Sequence, residues 1–265
     1  MKSIILVFIL VTAISTTGCS QQGAVTPAKE ASMIKVGDDC EGCEAVYETP
    51  VPFEMLSSSL TLPGFEGNGP KIEISGTVYQ RDGRTPATGV TFYVYHTDQT
   101  GVYATKGNET GWGRRHGYIR GWLKTDERGA YKILTLVPAS YPNSNNPKHI
   151  HPTIKEPGKT AYWIDEFVFA DDPYLSGAEK DRKHPRGGSG ILTPVKKDGL
   201  LRATRNITLG LNVPNYPVAT ISNPRDNKLA GTTDSPELTP YFYPGLVRES
   251  TYLSSFSTDQ QVAEH

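Results

Sequence analysis

Cysteine is scarce in this chain of 265 residues, which has three, at positions 19, 40 and 43. Only Cys40 and Cys43 lie beyond the N-terminal segment, so a zinc site of four cysteines is excluded. An excess of charge of either sign is also missing, because the formal net charge is -1. Nucleic acids attract strongly basic chains, and this balance gives no indication of a nucleic-acid partner.

Long runs of helix-favouring residues are absent, and no extended stretch repeats its apolar residues with the helical period. Glycine and proline are plentiful instead, at 26 and 20 residues, and tyrosine is the dominant aromatic. Strand-like segments, the first with clear period-two alternation, occupy residues 71–79, 90–96, 118–124, 130–137, 149–154, 164–169 and 205–209. The pattern predicts an all-β fold, a β-sandwich of mainly antiparallel strands with long loops.

The N-terminus reads as a targeting segment. Lys2 precedes an apolar stretch over residues 4–14, which is too short to span a membrane as a stable helix. Thr17, Gly18 and Cys19 follow and resemble a bacterial lipobox, in which cleavage precedes lipidation of the cysteine. The alternative is a plain secretory signal that is cut nearby. The lipobox reading predicts a lipid-anchored protein of the cell envelope, at the outer membrane because Ser20 follows the cysteine.

Composition divides the chain into four parts. We expect a signal peptide at residues 1–18, then a lipidated cysteine, tether and C-x-x-C segment at 19–68. The sandwich is expected at 69–216. A C-terminal extension at 217–265 is rich in polar residues, and we expect it to be partly disordered or packed on the surface. The aromatic cluster at 241–243 indicates that part of this extension packs against the domain.

Cys40 and Cys43 form the C-x-x-C pair. An exported protein meets an oxidising compartment, which favours a small disulfide loop. A redox-active pair is the alternative, but negative charges raise a thiol pKa and disfavour a reactive thiolate. Four carboxylates surround the pair: Asp38, Asp39, Glu41 and Glu44.

His149 and His151 belong to one predicted strand. Residues i and i+2 of a strand point to the same face, so the two imidazoles lie side by side at a separation that one metal ion can bridge. Alone, such a pair is more often a surface feature. Two upstream tyrosines change that interpretation, since Tyr103 follows a strand and a glycine turn, and Tyr141 precedes Pro142.

The ordered set of these segments resembles the intradiol ring-cleavage dioxygenases, the protocatechuate and catechol dioxygenase family. The resemblance rests on a G-x-Y segment ending at Tyr103, a T-D-x-x-G-x-Y…Y-P segment over residues 125–142, and the H-I-H segment at 149–151. It extends from about residue 74 to an Asp-Pro at 172–173. It implies a β-sandwich whose loops carry Fe(III), bound by Tyr103, Tyr141, His149 and His151.

The resemblance also implies a reaction. A small aromatic diol chelates the iron and displaces a hydroxide and one tyrosinate, which by position is Tyr141 and which takes up a substrate proton. O2 then attacks, and the ring opens between the two hydroxyls. The donor set itself is hard and anionic, which suits Fe(III). Arg120, in an Arg-Gly pair before a strand, is the second catalytic candidate, with a surface salt bridge as the alternative. Such sandwiches often associate, which leaves a homo-oligomer open.

The chain departs from the family pattern at two places. Asn146 stands where family members usually carry an arginine three residues before the first histidine, and Glu166 replaces a glutamine. An ionised Glu166 near the site would repel an anionic substrate. Arg114 and Arg115 are candidates for replacement charge, against the simpler interpretation of solvated loop residues.

Other polar and aromatic residues have plainer interpretations. We expect His96 and His184 to be surface or hydrogen-bonded loop residues, and Tyr95 to be a buried strand residue. Trp112 and Trp122 are candidates for the wall of a cleft, with core packing the default for Trp122.

A second function class shares part of the sequence pattern. Transthyretin-like β-sandwich modules, which bind envelope sugars or proteins without catalysis, open with the same glycine and valine spacing that residues 76–94 show. Such modules have no reason to keep two tyrosines together with the H-x-H pair. A protein that binds no metal and is colourless would favour this alternative.

Overall fold

The computed structural model describes residues 33–218. The expected signal peptide, the lipidated Cys19 and the aromatic cluster at 241–243 lie outside the described residues. Within the described part, no helix is long and apolar enough to cross a membrane. The described residues fold into two β-sheets of six strands each, which confirms the predicted all-β sandwich.

The strands were recognisable from their alternation, and the structure sets their bounds. The first sheet contains, in spatial order, β1 (Ser59–Thr61), β5 (Ala130–Leu136), β2 (Lys71–Tyr79), β11 (Leu200–Thr204) and β10 (Val195–Lys197), with β12 (Ile207–Thr208) also paired to β2. The second contains β4 (Arg120–Lys124), β3 (Thr91–His96), β6 (His149–Lys155), β8 (Phe167–Phe169) and β9 (Ile191–Leu192), with β7 (Tyr162–Trp163) also paired to β6.

Helical structure within residues 33–218 is limited to short segments. Two are 3₁₀ helices, at Cys43–Glu48 and Phe53–Met55. Two are single turns of α-helix, α1 (Gly113–His116) and α2 (Gly177–Lys180). The long central pairs are antiparallel, with β2 against β5 and β3 against both β4 and β6. Parallel pairing occurs where β2 meets β11 and β12, and at β1–β5 and β8–β9.

The core lies between the two sheets and follows from the period-two pattern. Ile72 and Ile74 of the first sheet are fully buried, as are Phe92 and Val94 of β3 and Ile150 of β6. Burying one such side chain stabilises a fold by about 1.5–3 kcal/mol. The alternate residues of β3 and β6 must therefore face the other way, and these include both histidines of the H-x-H pair.

An N-terminal segment covers that outer face of the second sheet. Ala45 and Val46 are fully buried against Tyr93, and the indole N–H of Trp122 donates to the carbonyl oxygen of Ala45 over 3.1 Å. Trp122 thus packs beneath this segment, which agrees with the packing role that we expected for it. The sequence placed residues 19–68 before the sandwich, as a lipidated cysteine, a tether and a C-x-x-C segment, whereas residues 43–48 and β1 pack as parts of the domain.

The predicted strand at 164–169 is interrupted. β7 ends at Trp163 and β8 begins at Phe167. Between them the carbonyl oxygen of Asp165 accepts a hydrogen bond of 2.7 Å from the buried guanidinium of Arg205, so this backbone group does not pair with a strand. The strand predicted at 205–209 is shorter in the structure, where β12 contains only Ile207–Thr208. β9, β10 and β11 were not predicted.

Candidate metal centre

Two strands and two loops bring four predicted ligands together. His149 and His151 lie on the outer face of β6. Tyr103 lies in the loop after β3, and Tyr141 in the loop after β5. The sequence separates these residues widely, but β3 pairs with β6, with Tyr95 opposite His151. The loop after β3 therefore begins beside the histidines.

The polar atoms of these side chains face one another at short range. The Tyr103 hydroxyl lies 2.8 Å from His151 Nε2, and the Tyr141 hydroxyl lies 3.0 Å from His149 Nε2 and 3.3 Å from His151 Nε2. The two Nε2 atoms are 3.0 Å apart, and the two hydroxyls are in direct contact. Four donor atoms thus surround one point, which is the arrangement that a single metal ion requires.

Gly101 allows the two tyrosine loops to approach each other. Its backbone has φ of 80°, a region that side chains rarely adopt. A Cβ atom at this position would lie 2.0 Å from the carbonyl oxygen of Ser140 and 3.1 Å from Cδ of Pro142. These two residues flank Tyr141. The glycine is thus required where the loop that carries Tyr103 touches the loop that carries Tyr141.

Neighbouring groups fix the orientation of both imidazoles. His149 Nδ1 lies 2.6 Å from the carbonyl oxygen of Pro147, so Nδ1 carries the proton and donates it, which leaves the Nε2 lone pair free for a metal. His151 is held by its ring instead. Tyr95 stacks on it with centroids 4.5 Å apart, and His116 stacks on the far side of Tyr95 at 3.8 Å.

Burial shifts the pKa of three of the four side chains in the metal-free protein. It raises the pKa of Tyr103, with the hydrogen bond to Tyr141 adding to the effect, and burial also raises the pKa of Tyr141. Burial, together with the neighbouring His149, lowers the pKa of His151 to about 3. Neutral imidazoles are ready to bind a metal, whereas the phenols lose their protons only when a strong cation is present.

The donor set fits a hard, highly charged metal ion. Two phenol oxygens and two imidazole nitrogens suit Fe(III), and no soft thiolate is available among them. Within residues 33–218, no group of three His, Cys, Asp or Glu side chains is arranged to hold a metal ion. The capacity of this cluster to bind a metal therefore depends on its tyrosines.

A cleft of about 320 Å³ opens beside His151. Its lining includes residues 39–42, which overlap the Cys40–Cys43 loop, and also Trp163, Ile164 and Glu166. Tyr95 and Pro152 are also among its lining residues. The cleft is at the small end of ligand pockets, which run from about 300 to 1,000 Å³, and it suits a single-ring molecule.

Comparison with known proteins shows what the part of the chain that contains this cluster is similar to. Residues 57–180 match the family model described as Dioxygenase. That segment contains all four clustered side chains, together with β3, β5 and β6, which position them. The match covers somewhat less than half of the chain, and it makes residues 57–180 similar to this dioxygenase family. It favours an enzyme over the alternative of a non-catalytic sandwich module. No curated protein matched the chain in sequence.

Solved structures of intradiol dioxygenases are similar to the chain at low identity. The dioxygenase domain of a carbohydrate-binding fusion from Streptomyces sp. SirexAA-E is 22% identical, with 65% of this chain and 96% of that one covered and a TM-score of 0.45. Catechol 1,2-dioxygenase from Acinetobacter sp. ADP1 is 19% identical, with 61% and 60% covered and a TM-score of 0.46. An intradiol dioxygenase from Tetranychus urticae is 18% identical, with 62% and 89% covered and a TM-score of 0.44.

Arg120 is not brought into the dioxygenase cluster. It lies on the same sheet face, but its guanidinium pairs with Glu48 over 2.6 Å and lies over the Trp122 ring. Within residues 33–218, no hydrogen bond or ion pair joins Arg120 to the four ligand candidates. The structure therefore contains the salt bridge that was the alternative interpretation of Arg120, and its acidic partner follows the C-x-x-C pair.

The two other arginines are also engaged away from the cluster. Arg115 pairs with Glu41 over 2.5 Å and lies over the Trp112 ring, and Arg114 donates to the carbonyl oxygen of Glu109 over 3.3 Å. Neither is among the residues that line the cleft. Asn146 is exposed in the loop before β6. The described part of the chain therefore supplies no arginine at the place where Asn146 departs from the family pattern.

The histidines outside the pair differ from each other. His184 is exposed, whereas His96 is buried at the end of β3, which corrects the expectation of a surface or loop residue. His96 Nε2 lies 2.6 Å from the Thr135 hydroxyl, and Nδ1 lies 2.7 Å from the carbonyl oxygen of Thr97. Tyr95 is partly exposed rather than buried, because its ring forms part of the cleft.

Cys40 and Cys43 are joined in a disulfide, with Cα atoms 5.6 Å apart. Its place at the cleft was not anticipated. His116 was considered only as part of the basic insertion with Arg114 and Arg115, and its stacking was missed: it lies between Trp112 and Tyr95 in a continuous stack of rings that ends at His151. Single-sequence patterns carry no signal for either, because both depend on how the N-terminal segment and the loop after β3 meet.

Proposed function

We propose that the domain is a non-haem Fe(III) dioxygenase that cleaves a catechol-type ring between its two hydroxyls with O2. The observation that carries the proposal is the convergence of the Tyr103 and Tyr141 hydroxyls with the Nε2 atoms of His149 and His151, all within 3.3 Å of at least one partner. The match of residues 57–180 to the Dioxygenase family model supports the same reaction class.

The four clustered residues would hold the iron. His149 and His151 would bind through Nε2, and Tyr103 and Tyr141 as phenolates, so the ligand set would carry two negative charges. When bound, Fe(III) supplies a Lewis acid that withdraws electron density from a chelating diol and activates it towards O2. The protein's part is to hold and orient these ligands through Pro147, Tyr95 and Gly101.

Tyr141 is the residue that we assign to proton uptake. It lies in a loop, and its hydroxyl contacts both imidazoles, so a small change in this loop moves it away from the other donors. Its buried surroundings raise the pKa of the phenol. The Tyr141 oxygen therefore accepts the second proton of the diol readily. Tyr103 remains in place beside His151.

The experiment is iron analysis and visible spectroscopy of the purified protein, before and after a simple catechol is added. Tyrosinate bound to Fe(III) gives a broad visible band. We expect bound iron, a coloured protein and a shift of the band with catechol, followed by ring opening under O2.

Variants test the ligand assignment. Tyr103→Phe and His151→Ala should lose most of the bound iron and the band. His184→Ala is the matched control, because this histidine is exposed and distant in sequence. Unchanged iron content in both ligand variants would overturn the assignment. A protein that stays colourless after reconstitution with iron would favour the non-catalytic module.

We also propose that Cys19 is lipidated and that the enzyme is anchored in the cell envelope, at the outer membrane. The support is the apolar segment at 4–14 followed by Thr17, Gly18 and Cys19. A mass measurement of the N-terminal peptide checks this. A peptide beginning at a diacylated Cys19 is expected, and an unmodified terminus elsewhere would indicate a plain secretory signal.

A further inference from the structure

The cleft beside His151 carries an unusual set of charges. Its lining includes three carboxylates, at Asp39, Glu41 and Glu166, and no lysine or arginine. Two of them come from the N-terminal segment and the third from the turn between β7 and β8. A molecule that enters the cleft thus comes close to carboxylates from two separate segments of the chain.

Two of the carboxylates have no basic partner within residues 33–218. Glu41 is paired with Arg115 over 2.5 Å, but no ion pair with lysine or arginine is formed by Asp39 or Glu166 in this part of the chain. The nearest basic group to Glu166 is His151 Nδ1 at 3.8 Å, beyond hydrogen-bond distance. Neither carboxylate therefore has a lysine or arginine partner at the cleft among the described residues.

Arg186, the arginine nearest to Trp163, does not offset this charge. Both of its terminal nitrogens bind Asp38, at 2.8 and 2.7 Å, and its guanidinium lies 3.5 Å from the ring centroid of Trp163. The guanidinium therefore covers the far side of the Trp163 wall and neutralises Asp38.

The remaining lining is aromatic and apolar. Tyr95 and Trp163 present rings, and Pro152 and Ile164 add aliphatic surface. Aromatic faces pack against a planar ring and also attract cations. The cleft therefore combines a site for one aromatic ring with an acidic rim.

From this combination we infer that the substrate is a catechol whose side chain is positively charged, such as a protonated alkylamine, and that Asp39 and Glu166 select it over carboxylated catechols. The inference rests on the proposed function, since it places the diol at the four-ligand cluster. Asp39 and Glu166 act as specificity residues, because they contact the side chain of the substrate and not the reacting carbons. A carboxylate on the substrate would face two like charges in a partly desolvated cleft.

Three probes of similar size and different charge test this inference. They are 4-(2-aminoethyl)catechol, 4-ethylcatechol and 3,4-dihydroxyphenylacetate, with charges of +1, 0 and −1. Binding to the iron-loaded protein is followed by the fluorescence of Trp163, and turnover by O2 uptake. We expect the cation to bind most tightly and the anion least. High salt should reduce the differences, because exposed charges are screened within about 3 Å at 1 M.

Glu166→Gln and Asp39→Asn remove one charge each and preserve size. Each should narrow the ratio of cation to anion binding by about threefold to fivefold, as expected for a partly exposed ion pair. Glu127→Gln is the matched control, since Glu127 is exposed in the turn before β5 and is not among the cleft residues. It should leave the ratio unchanged.

The outcomes separate this inference from the proposed function. Equal binding of the three probes, or a preference for the anion, would overturn the inference even if catechols are cleaved. A ratio of cation to anion binding that Glu166→Gln and Asp39→Asn both leave unchanged would overturn it as well. Failure to cleave any probe would count against the dioxygenase proposal, while the binding order would still decide whether the cleft selects cations.

Discussion

Tyr95 lies between two histidines with different roles. Its ring is 4.5 Å from that of His151 and 3.8 Å from that of His116, nearly parallel to both. The backbone of β6 places His151, but a side chain can still rotate about its own bonds. Stacking on a rigid aromatic ring restricts that rotation and keeps Nε2 aimed at the cluster, as second-layer contacts do in other metal sites.

Replacement of the Tyr95 ring should weaken metal binding. Tyr95→Leu removes the stacked face, and we expect iron affinity to fall by about 10- to 100-fold, the usual effect of losing an outer-layer partner. Tyr95→Phe keeps the ring and should retain affinity within about threefold. Competition with an iron chelator measures both. Equal losses in the two variants would show that the hydroxyl matters and that the stack does not.

The sequence predicted the site residues unequally. Spacing alone placed His149 and His151 on one face of a strand, because the period of a strand is two. Tyr103 and Tyr141 were recognised only through the family resemblance, since nothing local to a loop indicates which tyrosine will meet a distant histidine. Arg120 was selected from the motif, but its partner Glu48 is 72 residues away, and no local pattern reveals such a pair.

At the scale of elements, the loop after β3 and the loop after β5 are in close contact at Gly101. Gly107 offers a matched comparison, with a similar φ of 89° and no atom within 4 Å of an added Cβ. Replacement of either glycine by alanine incurs the cost of a left-handed backbone, about 1 kcal/mol. Only at Gly101 does the new methyl group also collide with a backbone carbonyl.

Gly101→Ala should therefore separate the two tyrosines, whereas Gly107→Ala should not. We expect Gly101→Ala to lose most of its bound iron and to be destabilised by more than about 2 kcal/mol. Gly107→Ala should keep its iron and lose about 1 kcal/mol. Denaturant unfolding and iron analysis provide the two measurements. Full iron occupancy in Gly101→Ala would show that the loops can adjust without the close approach.

Strand positions were predicted better than strand connections. The central strands β2, β3, β5 and β6 appeared close to their observed bounds because each alternates between core and outer face. β9, β10 and β11 were missed because they are short or largely exposed. The turn between β7 and β8 depends on Arg205, and a buried arginine that binds a distant carbonyl is a tertiary contact without a local signature.

For the molecule as a whole, His96 links the two sheets. It lies at the end of β3, and its Nε2 atom meets the Thr135 hydroxyl of β5. Burial lowers the pKa of His96 to about 4. In the unfolded chain the same group has a pKa of about 6.5. Between these values the unfolded chain binds a proton that the folded protein does not, so folding becomes less favourable as the pH falls.

The free energy of unfolding of the metal-free protein should therefore be fully retained above pH 6.5 and decrease as the pH falls towards 4. His96 alone contributes a slope of about 1.4 kcal/mol per pH unit. His96→Gln should reduce the slope by about that amount, and the exposed His184→Gln should leave it unchanged. Urea unfolding at several pH values measures the slopes. An identical slope in both variants would assign the acid sensitivity to other groups.

The active site has two parts that lie in different stretches of the chain. The four metal-ligand candidates fall inside the family segment 57–180, whereas Asp39 and the Cys40–Cys43 loop precede it. Mutation or recombination in the short region that encodes residues 39–42 can thus alter which molecules enter, with the chemistry left intact. The wall of the cleft at residues 39–42 and the four ligand candidates are thus free to evolve separately, because different exchanges in the gene change each of them.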